Sequence, residues 1–332
     1  MNEIVTYYLG AGASYNGFPT LSNLSSEIEK FLSQTSNQGG LFSEEKFKDL
    51  STGKFDDTSL PSPATAFVEF RNNLQLLVDK GKTGLIADDL FKQLYSPYGN
   101  KEYYLLKSAY SAFFFYYQVK NKSYEHRYTK FLQENSSFDN LGYPTMNENV
   151  KVISWNYDML FEKSYAEAFR LSDTYQSTAH MNLKNKGYYG GQKQDTGFAF
   201  FKLNGSALFT DRMWLYQFCS ERDDEAKGIL LYNTVYNYAR VGHLNPVISN
   251  LLSFVWEQES IYDVESRIES RTIKSINETT TLVIVVYRFQ PYNNDIDSKI
   301  LKSMSKLSRI IIHDPHPEDV KEMDITGQIA MA

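Results

Sequence analysis

The chain has 332 residues, 42% of them hydrophobic and 22% charged, with a net charge of −6. That is enough for one large globular domain or two modest ones, and the acidic balance argues against a long nucleic-acid-binding face. A single cysteine, Cys219, excludes an internal disulfide and a cysteine-only zinc site, and the five scattered histidines offer no metal-ligand spacing.

The opening MNEIVTYY lacks a basic segment ahead of an apolar core. No apolar run approaches the roughly 20 residues that cross a bilayer. The expectation is a cytoplasmic protein with no signal peptide, no membrane span and no metal.

In chain order, residues 4–9 read as a short buried strand, and Ser22 or Asn23 can cap a helix through Ile28 and Leu32. Residues 33–63 are polar and loop-like. From 64 to about 135 the pattern is helical: Phe67, Phe70, Leu74 and Leu77 recur three to four apart and share a face. The aromatic stretch Phe113-Phe114-Phe115-Tyr116-Tyr117 reads as core. Residues 150–154 form a second strand candidate, followed by Trp155-Asn156-Tyr157-Asp158 and a helix to Phe169. Residues 172–196 suggest a loop or a hairpin. A third strand, 198–203, leads into Asn204-Gly205-Ser206, and 229–260 is mostly helical with a break near His243.

The run at 281–287 is the clearest strand, apolar on both faces as in a covered parallel sheet. A helix at 295–307 and a last strand at 310–312 complete the chain. Strand and helix alternate, and each strand ends in small or polar residues. This predicts an α/β fold: a Rossmann-like, doubly wound parallel sheet with its site at the carboxyl ends of the strands. We expect a single domain over 1–332, with a core of about 1–30 and 150–315 and a large helical insert of about 31–149.

Two strand ends carry candidate chemistry. Gly10-Ala11-Gly12-Ala13-Ser14 lets a backbone approach a pyrophosphate, whose charge amides and a helix start would stabilise. Tyr15 stands where a full GxGxxG needs glycine, so a plain tight turn explains the residues equally well. Asn156 and Asp158 can bind ribose hydroxyls or orient a water. They can equally cap the following helix, which is worth about 1 kcal/mol.

Taken together, GAGAS…GFPT, WNYD, FFKLNGS and VVYRFQPYNND fall in that order, each at a strand end. The set resembles the sirtuin superfamily, most closely the sirtuin-like domains of bacterial antiphage defence. The likeness runs from Gly10 to about Asp297. It implies NAD as substrate, with Gly10, Ala11, Gly12, Ala13 and Ser14 at the pyrophosphate and Phe18, Pro19 and Thr20 near the nicotinamide. Asn156 and Asp158 match the NYD residues that serve NAD binding and cleavage, and Gly205, Tyr287 and Arg288 fall on further cofactor-binding motifs. The family histidine falls at Asn204, and the glycine and serine of GYSF fall at Val286 and Arg288. Asn204 positions by hydrogen bonds but cannot act as a base near neutral pH, whether the change is natural or engineered.

The resemblance also implies no zinc module, since the four-cysteine ribbon of deacylating members is impossible here. It implies hydrolysis of the nicotinamide–ribose bond, an NAD hydrolase effector that depletes NAD when a homo-oligomer or a defence-system partner activates it. The competing expectation is a catalytically silent module that binds NAD or ADP-ribose, or builds an assembly. A Rossmann-like NAD(P) protein of another kind is a third reading.

Overall fold

A computed structural model describes residues 3–19, 23–39, 59–84, 87–96, 99–121, 125–140, 144–170, 183–185, 197–209, 226–244, 250–254, 257, 268–290 and 293–317. Thr20, Ser22, His180, Cys219 and most of the expected loops at 33–63 and 172–196 lie outside them. The chain opens with β1 (Val5–Leu9), a 3-10 turn (Ala11–Ser14) and α1 (Leu24–Gln34). Three helices follow: α2 (Pro63–Lys82), α3 (Ala87–Leu94) and α4 (Lys101–Lys120). Then come α5 (His126–Glu134), β2 (Ser136–Phe138), β3 (Pro144–Met146), β4 (Val150–Ser154) and α6 (Leu160–Ala168). Next are β5 (Leu183–Asn185), β6 (Ala199–Lys202), β7 (Gly205–Phe209), α7 (Ala226–His243) and β8 (Asn250–Leu252). The last elements are α8 (Ile268–Ile276), β9 (Thr281–Val285), α9 (Asn294–Ser303) and β10 (Arg309–His313).

The chain divides into two compact units. The first comprises Met1–Asn16, Tyr124–Ser206 and Ser253–Ala332. Its sheet has the order β10-β9-β1-β4-β6-β5, and every pairing is parallel. Every residue of β4 and β6 is buried. Strands covered on both faces need continuous apolar sequence instead of alternation, which is why the runs at 150–154, 199–202 and 281–285 are legible.

Successive side chains leave a strand on opposite faces. Tyr8, Ile153, Phe201, Leu282 and Ile284 join Ile268 and Ile276 of α8 and Ile300 and Leu301 of α9 in one buried cluster. Their neighbours meet α5 and α6: Tyr7 stands edge-on to Phe131 at 4.8 Å, and Phe161 packs on Phe200 at 4.5 Å. On this second face the buried strand β6 carries a charge. Lys202 and Glu162, both buried, pair at 2.9 Å, and Lys202 Nζ also donates to the carbonyl of Asp158.

The second unit comprises Gly17–Ser123 and Ala207–Leu252. Ser62 caps α2 by accepting from the Thr65 amide, with Pro63 at the first helical position. Asn100 caps α4 through the Glu102 amide at 3.0 Å. The aromatic stretch of α4 is core, with Tyr110, Phe113, Phe114 and Phe115 buried. Phe31 of α1 meets Phe70, Phe113 and Tyr116 edge-on at 5.0–5.8 Å, the geometry that aromatic quadrupoles favour. β7 and β8 form a separate two-stranded sheet.

Three local expectations change. Residues 183–185 pair parallel to β6, so no hairpin joins them, because a parallel pair needs a crossover. Residues 250–252 form a strand where helix was expected. β9 ends at Val285, because Val286 has a positive φ of 44° and breaks the extended backbone. Among the described residues no helix is long and apolar enough to cross a membrane.

Removing one partner of a buried ion pair leaves an uncompensated charge and costs about 3–5 kcal/mol, whereas an apolar pair of similar size is often neutral. Lys202→Met is therefore expected to lower the denaturant midpoint strongly, and Lys202→Met with Glu162→Leu to recover part of the loss, the rest belonging to Asp158, which Lys202 also faces. Additive losses in the double variant would contradict this account.

Candidate functional site

In open parallel sheets ligands bind outside the carboxyl ends of the strands, where the strand order reverses. Here that point is β1, flanked by β4 and β9. The chain leaves β1 into the 3-10 turn. The Gly10 amide donates to the Val285 carbonyl at 3.0 Å, and the Ala13 amide donates to the Gly10 carbonyl at 2.9 Å. The first amides of such a turn, at Ala11 and Gly12, have no acceptor inside it.

Side chains from two other elements fix the turn. Asn156, beyond β4, donates from Nδ2 to the Gly10 carbonyl at 2.8 Å and to Ser14 Oγ at 3.2 Å. Ser14 Oγ also bonds the Tyr128 hydroxyl of α5 at 3.0 Å. Arg127 donates to the Ala13 carbonyl at 3.2 Å, placing a cation at the negative end of the turn. Its partner is the buried Glu125, at 2.7 Å. Burial pushes the Glu125 carboxyl up, but the bonds from Arg127 outweigh it and hold the carboxyl below its ordinary value.

Both glycines serve a close approach. A Cβ on Gly10 would lie 2.3 Å from the Val286 carbonyl oxygen and 2.6 Å from Tyr287 Cα, and one on Gly12 would lie 2.1 Å from Val286 Cγ1. The small residues therefore make room for the segment after β9. That segment is strained, because a β-branched residue at φ 44° is a backbone outlier. Such residues cost of order 1–3 kcal/mol and cluster at functional sites.

Register pairs Ser154 of β4 with Lys202 of β6, so the residues just beyond each strand emerge side by side. Asp158 and Asn204, both buried, stand at these two ends. Asp158 Oδ1 accepts the Leu160 amide, the first of α6, at 2.9 Å, from the residue before the Met159 cap position. Its Oδ2 is buried without a hydrogen-bond partner among the described residues. Burial raises the Asp158 carboxyl above its usual range, against the pull of Lys202 and of the Ser14 hydroxyl. Asn204 donates to the Trp155 carbonyl at 3.2 Å, and its Oδ1 is likewise buried and unpartnered among the described residues. Gly205 has φ 70°, which starts β7 at low cost for glycine.

The structure brings Gly10, Ser14 and Asn156 into direct contact and sets Asp158 and Asn204 on adjacent strand ends. Ala13 is buried and Ala11 exposed. Phe18 and Pro19 belong to the helical unit, where Phe18 stacks on Phe114 at 4.6 Å. Arg288 is exposed. Tyr287 is buried, and its hydroxyl donates to Asp297 Oδ2 at 2.7 Å. Glu125, Arg127, Tyr128 and Glu162 escaped the sequence reading, and Lys202 and Asp297 entered it only as part of a motif and as the end of the resemblance. Only Lys202 carried a signal, a charge inside an apolar strand. No group of three or more metal-ligating side chains occurs among the described residues.

Two outcomes follow from this geometry. Gly12→Ala should destabilise by more than about 1 kcal/mol through the Val286 clash, and Val286→Gly should relieve both that clash and the backbone strain. A double-mutant cycle on unfolding free energies should show coupling well above the ~0.5 kcal/mol of independent sites.

The second outcome concerns Asp297. Burial raises its carboxyl from 3.8 to about 7, against hydrogen bonds from Tyr8, Tyr287 and the Trp155 indole. Between those values the unfolded chain releases the proton and the folded chain keeps it. This contribution is full below the unfolded value, declines as pH rises, and is lost above about 7. Its size is on the order of a few kcal/mol. Asp297→Asn should remove that decline in stability between pH 5.5 and 8, measured by denaturant titration.

No family model matches the chain, and neither the curated proteins nor the solved structures contain a match to it.

Proposed function

We propose that the first unit binds NAD or ADP-ribose at the carboxyl end of its sheet and is an NAD hydrolase by design of the site. The observation that carries this reading is the pair of buried acceptors, Asp158 Oδ2 and Asn204 Oδ1, which stand on the ends of the adjacent strands β4 and β6 with no hydrogen bond of ordinary length among the described residues. A buried acceptor without a partner costs about 1–3 kcal/mol. Two of them on adjacent strand ends suit a ligand that brings hydroxyl donors, as a ribose does. The amides of the Gly10–Ser14 turn suit a pyrophosphate. Strand order, with its reversal at β1, supports the Rossmann-like reading of the sheet and the helical segment as an insert.

In the proposed reaction the bond from nicotinamide to the ribose C1′ breaks and a water oxygen bonds to that carbon. The products are ADP-ribose, nicotinamide and one proton. Asn204 has no usable proton affinity near pH 7, so Asp158 is the titratable group left to accept that proton. Asn156 is committed to the turn, and its role here is to hold the pyrophosphate amides in place. Depletion of NAD in antiphage defence, switched by a homo-oligomer or a partner protein, rests on the motif resemblance alone.

A catalytically silent NAD- or ADP-ribose-binding module is the second reading. Asn204 at the histidine position and Val286 packed against Gly12 favour it.

Calorimetry with ADP-ribose tests binding. Asp158→Ala should weaken it about tenfold or more, the ~1.4 kcal/mol expected when a charge-assisted hydrogen bond is lost. An unchanged affinity in that variant moves the site elsewhere. Nicotinamide release separates the two readings. The parent should turn over slowly, and Asn204→His should gain about 10²-fold or more, the usual worth of acid–base help. Fast turnover by the parent would remove position 204 from the mechanism, and no gain in the histidine variant would favour the silent module.

A further inference from the structure

Asp297, in the first turn of α9, is fully buried and has a hydroxyl on each oxygen. Tyr8 of β1 donates to Oδ1 and Tyr287 donates to Oδ2 at 2.7 Å. Each hydroxyl also accepts a bond: Tyr8 from the Trp155 indole at 3.1 Å, and Tyr287 from the Asn293 amide at 3.2 Å. The Trp155 and Tyr287 rings lie parallel, 3° apart in plane and 6.1 Å between centroids.

The protons in this cluster can be counted. An ionised carboxylate accepts both tyrosine protons. A protonated carboxyl becomes a donor at one oxygen, so one tyrosine proton loses its acceptor. Tyr8 has no further hydrogen-bond partner among the described residues. Tyr287 has an alternative beside it, because Asn293 Oδ1 is buried and unpartnered there and meets the hydroxyl by a turn of the amide. The proton is therefore accommodated on the Tyr287 side. No ion pair reaches Asp297 among the described residues. The charged side chains of α8 and α9 (Glu269, Arg271, Lys274, Asp295, Lys299 and Lys302) occupy exposed or half-buried positions, and Lys299 pairs with Glu269 at 2.9 Å. Arg288, on the segment after β9, is exposed.

Tyr287 matters to the site because its backbone sits against Gly10 and the preceding Val286 fills the space beside Gly12. We propose that Asp297 is a positioning residue of the ligand site: its carboxylate holds the Val286–Tyr287 segment over the glycine turn by a charge-assisted bond, and its protonation turns the Tyr287 hydroxyl to Asn293, leaves only a weaker neutral bond from the carboxyl to the Tyr287 oxygen, and loosens that segment. The link to a ligand rests on the function proposed above. Burial places this titration at about 7, within the range a cell visits.

The test uses the full chain with Trp214 and Trp256 changed to Phe, so that Trp155 is the only indole. Its emission should show one transition centred near pH 7, absent in Asp297→Asn. Tyr287→Phe keeps the titrating carboxyl beside Trp155 but has no hydroxyl to hand over, so its emission should keep a transition while its ADP-ribose affinity no longer follows it. That variant decides the matter if Asp297→Asn does not fold. ADP-ribose should bind at least threefold tighter at pH 6 than at pH 8 in the parent and equally at both in the two variants. Emission flat from pH 5.5 to 8.5, a transition kept in Asp297→Asn, or pH-dependent ADP-ribose binding kept in Tyr287→Phe, overturns the proposal. Absence of ADP-ribose binding at every pH overturns the ligand reading instead, and the emission still decides the role of Asp297.

Discussion

The carboxyl end of the sheet depends on one amide. Asn156 reaches from the end of β4 to the turn that follows β1, holding the Gly10 carbonyl and the Ser14 hydroxyl with a single nitrogen. Each bond is worth only about 1 kcal/mol net, but its loss would strand buried acceptors at a cost of about 1–3 kcal/mol each. Ser14 passes the constraint to Tyr128 on α5, and Arg127 on the same helix holds the far end of the turn. The turn is short, and its shape is imposed by β4 and α5 more than by its own residues.

Fixing the turn this way concentrates polar groups where the sheet is driest. Lys202, Glu162 and Asp158 share one buried neighbourhood, with a single cation facing two carboxylates. Burial raises both acids and Lys202 pulls both down, so their titrations belong to the cluster and not to either residue alone. Every strong bond in the group serves position. Lys202 holds Glu162 and the Asp158 carbonyl, and the Leu160 amide takes one Asp158 oxygen. The remaining Asp158 oxygen takes part in none of these bonds.

The five expected strands were legible because each is a short apolar run bounded by polar or small residues, which a doubly covered parallel strand requires. Asn156, Asp158 and Asn204 were legible because they directly follow such runs. The partners that hold them were not. Tyr128 bonds Ser14 across 114 positions, and Asp297 bonds Tyr8 across 289. No local pattern encodes a contact at such separation. Tyr287 was read as a ligand residue from its place in a motif, and its bond to Asp297 ten residues on carried no signal of its own. The departure of Val286 from the strand was invisible for a different reason. Valine favours extended backbone, so its propensity points away from the conformation that the packing imposes.

Val286 and Gly12 explain one another. A side chain at position 12 would collide with Val286, and Val286 occupies its position only by adopting a φ that branched residues avoid. The strain of about 1–3 kcal/mol is stored beside the amides that a pyrophosphate would use. A ligand that displaced Val286 would lose the packing against Gly12 and recover the strain, two terms of opposite sign and similar size. A site balanced in this way responds to small inputs. The hydroxyl bond between Tyr287 and Asp297 is such an input, because it anchors the residue next to the strained one, and the energy of one charge-assisted hydrogen bond is comparable to the difference that must be tipped.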